Sequence, residues 1–147
     1  MRKTALTISI LLVLFSCKTE RKIIHIEPEY VLKKWSKAIK NLDYERYVEC
    51  EVHPKPYEEF LNIYKDYYYE EMRVNAVDKI LEKTEDDDGS TKYDKCELIF
   101  DCVVVNRKNH KAQKRINGHV DFIKYIDLPK SKQGWLMFNR TLIETNL

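Results

Sequence analysis

The spacing of apolar residues changes about halfway along the chain, and this change constrains the fold more than any other feature. From Pro28 onward, apolar side chains recur every three or four residues, at Val31, Trp35, Ile39 and Leu42. That is the period of an amphipathic helix. After about residue 70 they alternate, which is the period of a strand with one buried face. The sequence therefore predicts helices first and strands afterwards, in an α+β domain.

Two breaks divide the helical half into three segments. Asp43 follows the first helix and is a suitable N-cap for a short second one. The stretch 53–56 contains two prolines and interrupts the chain again. Aromatic residues at helical spacing after Pro56 predict a third helix that runs to about Glu70.

Four strands are predicted in the second half, with alternating apolar residues over 72–80, 96–104, 116–122 and 136–142. The connections between them are short, and Asp88-Gly89 in the first is typical of a tight hairpin turn. The acidic run before Gly89 does not fit a calcium loop, because Thr84 and Lys95 would occupy ligand positions that need carboxylates. We therefore expect N-terminal helices packed on a four-stranded antiparallel meander sheet, in one domain over residues 28–147.

The N-terminus has the layout of an export signal. A short positive start precedes an apolar run from Ala5 to Phe15, and these eleven residues are fewer than the ~20 that span a bilayer. The run ends in Leu14-Phe15-Ser16-Cys17, which resembles the lipobox of bacterial lipoproteins. This resemblance implies a signal peptide over residues 1–16 and acylation of Cys17, which then begins the mature protein.

The lipobox also implies a location. A lipoprotein-type anchor would hold the chain on a membrane of the bacterial cell envelope, with residues 17–27 as the lipidated cysteine and its tether. Lys18 follows the cysteine where an inner-membrane retention signal would place an aspartate. This favours the outer membrane and leaves the leaflet open. The apolar segment 23–26 is either part of the tether or an edge strand docked on the domain.

Charge and glycine content exclude several function classes. The chain has 26 basic and 24 acidic residues, and removal of Arg2 and Lys3 with the leader leaves 24 of each sign. A neutral chain lacks the basic field of nucleic-acid binders. Its three glycines lie far apart, so no phosphate-binding glycine loop forms. We expect no nucleic-acid partner and no cofactor.

Cysteine and histidine spacing gives no sign of a metal site. The four histidines do not match known zinc spacings, and no Cys-x-x-Cys occurs. Cys96 and Cys102 lie on one predicted strand, about 20 Å apart, which is too far for a disulfide. Cys50 either pairs with one of them or all three are buried free thiols.

The segments Pro28–Tyr47 and Gly134–Asn139 resemble the opening helices and the last strand of the nuclear transport factor 2-like superfamily, also called SnoaL-like or cystatin-like. This resemblance implies a cone-shaped domain. The superfamily includes isomerases, cyclases and dehydratases, but also lipid-anchored proteins and binding modules, so it leaves the function open.

Enzymatic members of this superfamily carry a carboxylate or a histidine inside the cone. The nearest candidates here are His119 and Asp121, which share one strand face. The opposite face of that strand is more apolar and should turn toward the helices. We therefore expect His119 and Asp121 on the outside, and no catalytic residue in the domain.

Three binding surfaces are possible. The aromatic helices predict either core or a ligand pocket, formed by Trp35, Tyr64, Tyr68 and Phe100. The basic tip 106–115 is a solvated turn or a contact for anionic groups. The outer sheet face carries apolar residues where water would favour polar ones, which predicts an interface with a second copy, another protein or segment 23–26. Its members are Val77, Leu81, Ile99, Val103, Val105, Ile123 and Tyr125.

Together these features favour a lipid-anchored, non-enzymatic module that binds a protein or a small hydrophobic ligand. The alternatives are a small isomerase or hydrolyase of the SnoaL-like type, and an inhibitor or immunity-type protein. The sequence does not decide between them.

Overall fold

The computed structural model of the chain describes residues 27–78, 84–85, 92–127 and 129–144. The signal peptide, Cys17, most of the tether, Leu81 and the turn at 86–89 lie outside these residues. Helices come first: α1 (Pro28–Asn41), α2 (Tyr44–Val48) and α3 (Tyr57–Tyr64). The strands follow as β1 (Tyr67–Asp78), β2 (Thr84–Glu85), β3 (Lys92–Asn106), β4 (Ala112–Tyr125) and β5 (Trp135–Glu144), with a 3-10 turn at Lys130–Gln133.

The four long strands form one antiparallel sheet in the order β1-β3-β4-β5, and the short β2 pairs with β3. Neighbours in the sheet are therefore also neighbours along the chain, as in a meander. The predicted α+β class, with helices followed by a four-stranded antiparallel meander, is confirmed.

The first two helices begin as their residue types favour, whereas α1 ends at a leucine in a conformation that glycine usually adopts. Pro28 starts α1, where a missing backbone N–H costs nothing. Leu42 ends α1 in the left-handed conformation with φ 52°, and the next N–H, that of Asp43, donates to the carbonyl of Ala38 at 2.9 Å. The Asp43 carboxylate then accepts from the backbone N–H of Arg46 at 3.2 Å, which is the expected cap.

The boundary between α3 and β1 differs from the expectation. The helix ends at Tyr64, and the segment 67–70 pairs with β3 instead of continuing the helix to Glu70. In a helix, three consecutive tyrosines would spread over much of its circumference. In a strand, Tyr67 and Tyr69 share one side and Tyr68 takes the other, and both Tyr68 and Tyr69 are buried there.

The helices pack on one face of the sheet and form the core with it. Trp35, Leu32 and Ile39 of α1 are fully buried against the even-numbered residues of β3, such as Leu98 and Phe100. The odd-numbered residues of β3 and β4 point away from the helices over most of their length. In the described part of the chain, no helix is long and apolar enough to cross a bilayer.

Candidate functional site

A cavity of about 240 Å³ lies on the helix-facing side of the sheet, at the end where β1 begins and β5 ends. Residues from all four long strands line this end cavity: Tyr67, Tyr69, Val104, Gln113, Lys114, Ile116, Leu142 and Glu144. The strand register brings them together, because Val104 pairs with both Tyr69 and Lys114, and Ile116 pairs with Glu144.

Aromatic rings form one wall of the end cavity. The Tyr69 ring stacks on Trp35 at a centroid distance of 5.4 Å and meets the Tyr67 ring edge-on at 5.9 Å. Tyr64 lies beside both tyrosines, at 6.2 and 6.5 Å. Burial raises the pKa of Tyr64 and Tyr69 far above the ordinary value, so both hydroxyls stay neutral. The wall is therefore uncharged and apolar except for phenol oxygens.

The rim of the end cavity is polar. Lys114 and Glu144, on neighbouring strands, form an ion pair there, and Gln113 lies beside them. Both charged side chains are well exposed, at 39% and 69%. An apolar interior with a few polar groups at the mouth is the usual make-up of a small-molecule site.

The four residues expected to line a pocket do not line the end cavity. Trp35 and Tyr64 lie behind its wall, in the core. Tyr68 is on the other side of β1, where Lys40 and Arg107 approach its ring at about 5.3 and 5.2 Å. Phe100 lies over Gly118, so close that a β-carbon there would meet its ring at 2.2 Å. The neighbouring tyrosines 67 and 69 escaped the sequence analysis because it placed them at the end of a helix.

A buried ion pair also lies on the helix-facing side. Arg140 of β5 donates to the Glu51 carboxylate at 2.6 Å, and the same carboxylate oxygen accepts from the Trp35 indole N–H at 2.9 Å. The guanidinium lies 4.4 Å from the Trp35 ring centroid. Burial alone would lower the pKa of Arg140, but the oxygens of Tyr64 and Glu51 outweigh it and raise that pKa. Sequence reasoning missed this pair because its members are 89 positions apart.

His119 and Asp121 lie on the outer face, where the sequence analysis expects them. The His119 Nε2 atom is 3.6 Å from Asp121 Oδ1 and 3.4 Å from Glu97 Oε2, on the neighbouring strand. Lys95 completes the group, with its Nζ at 3.1 Å from Glu97 and 3.6 Å from Asp121. Hydrogen bonds from Lys95 and His119 lower the pKa of Glu97. This group faces away from Trp35 and Tyr64 and has no part in the end cavity.

The outer face is not the contiguous apolar surface that was expected. Ile99 is 49% exposed, but it pairs with His119 and lies between Glu97 and Asp101 along its strand. Val103 pairs with Arg115, which forms ion pairs with Asp101 and Glu71. These charges divide the apolar residues into small patches.

Two of the expected interface residues are buried and so are not part of an exposed surface. Ile123 lies opposite Leu136 of β5, and both are less than 8% exposed. A register shift between Val104 and Val105 brings both valines into the core. Tyr125 is half-buried beneath Lys130, whose Nζ lies 4.8 Å from its ring centroid. The sequence analysis assumed unbroken alternation, which a bulge interrupts.

Arg107 changes the interpretation of the basic hairpin tip. Its guanidinium turns inward and donates to the carbonyls of Ile39, Lys40 and Tyr64 at 2.8–3.2 Å. A cation at carbonyls that end helices is favourable. Lys108 and Lys111 remain exposed at the tip.

Cys50, Cys96 and Cys102 are buried and none of the three forms a disulfide, which decides between the two alternatives for these residues. Burial raises the pKa of Cys50 and of Cys102 to about 12. Thiols with so high a pKa are mostly protonated at neutral pH and are poor nucleophiles and metal ligands.

Comparisons with known proteins find a likeness in structure and none in sequence. No family model and no curated protein sequence matches the chain. Among solved structures, the crystal structure of the intermembrane space region of the chloroplast protein ARC6 is similar, with 16% identity and a TM-score of 0.40. The alignment covers 80% of this chain and 94% of that one. A likeness at this level carries no argument about function.

Proposed function

We propose that the chain is a lipid-anchored binding module of the bacterial cell envelope that holds a small hydrophobic ligand in the end cavity. The cavity is the observation that carries this proposal, because apolar and aromatic side chains from four strands converge on it. The lipobox-like Leu14–Cys17 supports the anchor. The order of helices and strands is compatible with the nuclear transport factor 2-like resemblance, which remains part of the proposal.

The size of the cavity limits the ligand. Its volume of about 240 Å³ is below the ~300–1,000 Å³ of sites that hold drug-sized molecules. A ring system such as indole, or a short aliphatic chain, is of the appropriate size. The Lys114–Glu144 pair at the rim offers one donor and one acceptor to a polar end of such a ligand.

Binding is favoured over catalysis by the state of the inward carboxylate. Glu51 is an acidic residue near the core rings, and its Oε1 atom already accepts from Trp35 and Arg140. An isomerase or hydrolyase needs a base free to approach the substrate. Glu51 instead lies in an ion pair, and neither it nor Arg140 lines the end cavity.

The ligand proposal can be tested by titrating the full chain, in detergent, with indole and following the methyl signals by NMR. We expect saturable shifts for Val104, Ile116 and Leu142. Leu142→Phe should abolish them by filling the cavity. Ile143→Phe is the matched control, because Ile143 neighbours Leu142 but is 55% exposed on the other face of β5. Equal binding by both variants, or no saturable shift in the parent chain, would contradict the proposal.

The anchor is tested separately. Acylated Cys17 should make the protein from native membranes partition into the detergent phase and resist release by salt, since lipid anchoring depends on buried methylenes rather than on charge. Cys17→Ala should abolish both properties, while Cys50→Ala should retain them. Mass spectrometry that finds Cys17 unmodified would remove the anchor and leave the ligand proposal standing.

A further inference from the structure

We propose that Glu97, His119 and Asp121 on the outer face of the sheet form a binding site for a zinc ion. One imidazole nitrogen and two carboxylate oxygens are ligands that Zn²⁺ commonly takes. The three come from neighbouring strands: Glu97 pairs with Asp121 across β3 and β4, and His119 lies two residues from Asp121 on the same face. This site is separate from the end cavity and does not rest on the proposed ligand.

Two of the three distances between the donor atoms match those around a tetrahedral ion. Around zinc with bonds of ~2.0–2.2 Å, any two ligand atoms are about 3.3–3.6 Å apart. His119 Nε2 is 3.4 Å from Glu97 Oε2 and 3.6 Å from Asp121 Oδ1, and all three donors lie within 4.8 Å of one another. Small side-chain rotations therefore suffice to place them on one ion.

One ligand atom of the group is buried and accepts no hydrogen bond from the described residues. Asp121 Oδ1 is inaccessible to solvent and accepts no hydrogen bond from any of the described residues. A buried carboxylate oxygen left in this state is costly, and a cation would satisfy it. The other oxygen of Asp121, Oδ2, faces Lys95.

Lys95 does not contact the metal-facing atoms. It approaches Glu97 through Oε1 and Asp121 through Oδ2, whereas the proposed ligands are Oε2 and Oδ1. It thus orients both carboxylates from the side away from the proposed ion, as groups around the ligands of metal sites do. The two carboxylates and the lysine carry a net charge of −1, which suits a divalent cation.

The site is open to solvent on one side. The His119 side chain is 41% exposed, which gives an ion a path of entry. Three protein ligands leave the fourth tetrahedral position for water or for a group supplied by another molecule, the arrangement of zinc sites that keep an open position.

The test is a calorimetric titration of the full chain in detergent with Zn²⁺ alone. We expect one ion per chain, and a loss of affinity greater than about tenfold in both Glu97→Gln and His119→Ala. His53→Ala is the matched control, because His53 is an exposed histidine outside the group, and it should bind zinc as the parent chain does. Circular dichroism checks that each variant folds.

Two further measurements keep the proposal falsifiable. Without any substitution, zinc should shift the ring ¹⁵N signal of His119 and leave that of His53 unchanged. Cobalt at the same site should give visible bands of a four-coordinate ion without thiolate charge transfer. Failure of the parent chain to bind zinc, ligand variants that bind zinc as tightly as the parent chain, or a thiolate band would overturn the proposal. In that event His119 serves only as an ion-pair partner of the two carboxylates.

Discussion

The two faces of the sheet hold their charged groups in different surroundings. On the helix-facing side, the Arg140 and Glu51 side chains are 19% and 9% exposed, and the guanidinium lies on the Trp35 ring. On the outer side, Arg115 is 32% exposed and pairs with Asp101, which is 15% exposed, and with Glu71, which is 55% exposed. The same chemical pair therefore has different energetic consequences, since a buried charge cannot turn to solvent when its partner is lost.

The largest expected effect comes from breaking the buried pair. Arg140→Met should lower the free energy of unfolding by about 3–5 kcal/mol, because it leaves the Glu51 carboxylate without its partner in the core. Urea denaturation measures this. The matched control is Arg115→Met on the outer face, for which we expect a much smaller loss.

A second substitution shows whether the loss comes from the unpaired charge. In the double variant Glu51→Gln/Arg140→Met no carboxylate is left alone, so we expect part of the stability to return. If Arg140→Met and Arg115→Met cost the same, or the double variant is no more stable than Arg140→Met, the contrast between the faces is wrong.

The second largest difference between the two faces should come from a substitution that disturbs core packing. Gly118→Ala places a methyl group 2.2 Å from the Phe100 ring, and this ring is fully buried, so room is made only by moving core side chains. We expect a loss of ~1–3 kcal/mol. Asn117→Ala is the control, as its side chain is exposed on the outer face of the same strand. Thermal and urea unfolding of both variants test this, and an unchanged Gly118→Ala would contradict it.

Alkaline pH should lower the stability of the fold through buried groups on the helix-facing side. The folded chain holds the protons of Cys50 and Cys102 up to a pKa of about 12, whereas the ordinary value is about 9. The unfolded chain therefore loses these protons first, so stability is full below about pH 9 and declines as pH rises toward 12. The raised pKa values of Tyr64 and Tyr69 act in the same direction at higher pH.

Urea titrations at a series of pH values from 7.5 to 10.5 measure this decline, and Cys50→Ala/Cys102→Ala should flatten its early part. Iodoacetamide gives an independent check, since both thiols should react only as fast as the protein unfolds. Rapid alkylation of the native protein would show that the thiols are not buried.

The smallest effect is expected on the outer face. Ile99 is 49% exposed among charged neighbours, so Ile99→Gln should change stability by less than about 0.5 kcal/mol. Sedimentation of the same variant and of the parent chain tests whether this face forms contacts between copies. If the parent chain sediments as a larger species and Ile99→Gln sediments as a smaller one, the outer face is an interface, as the sequence analysis expected.

Some features of this protein follow from its sequence alone, because they depend on neighbours in the chain. The change from helical to alternating spacing predicts the order of elements, and Asp43 caps α2 through a residue three positions away. The boundary between α3 and β1 does not follow, since pairing of the segment 67–70 with β3 outweighs the helical spacing of its tyrosines. The helical preference of a short segment is weak, so pairing with a neighbouring strand outweighs it where the two conformations compete.

The sites depend on the tertiary structure instead. Glu97 joins His119 and Asp121 because β3 and β4 pair in one register, and a shift by one residue would turn Glu97 to the core face. Arg140 reaches Glu51 across 89 positions, and the end cavity needs Tyr67, Ile116 and Leu142 from three strands. Spacing within a sequence reports which residues share a face. Only strand register and helix packing decide which distant residues meet, because these depend on contacts that form when the whole domain folds.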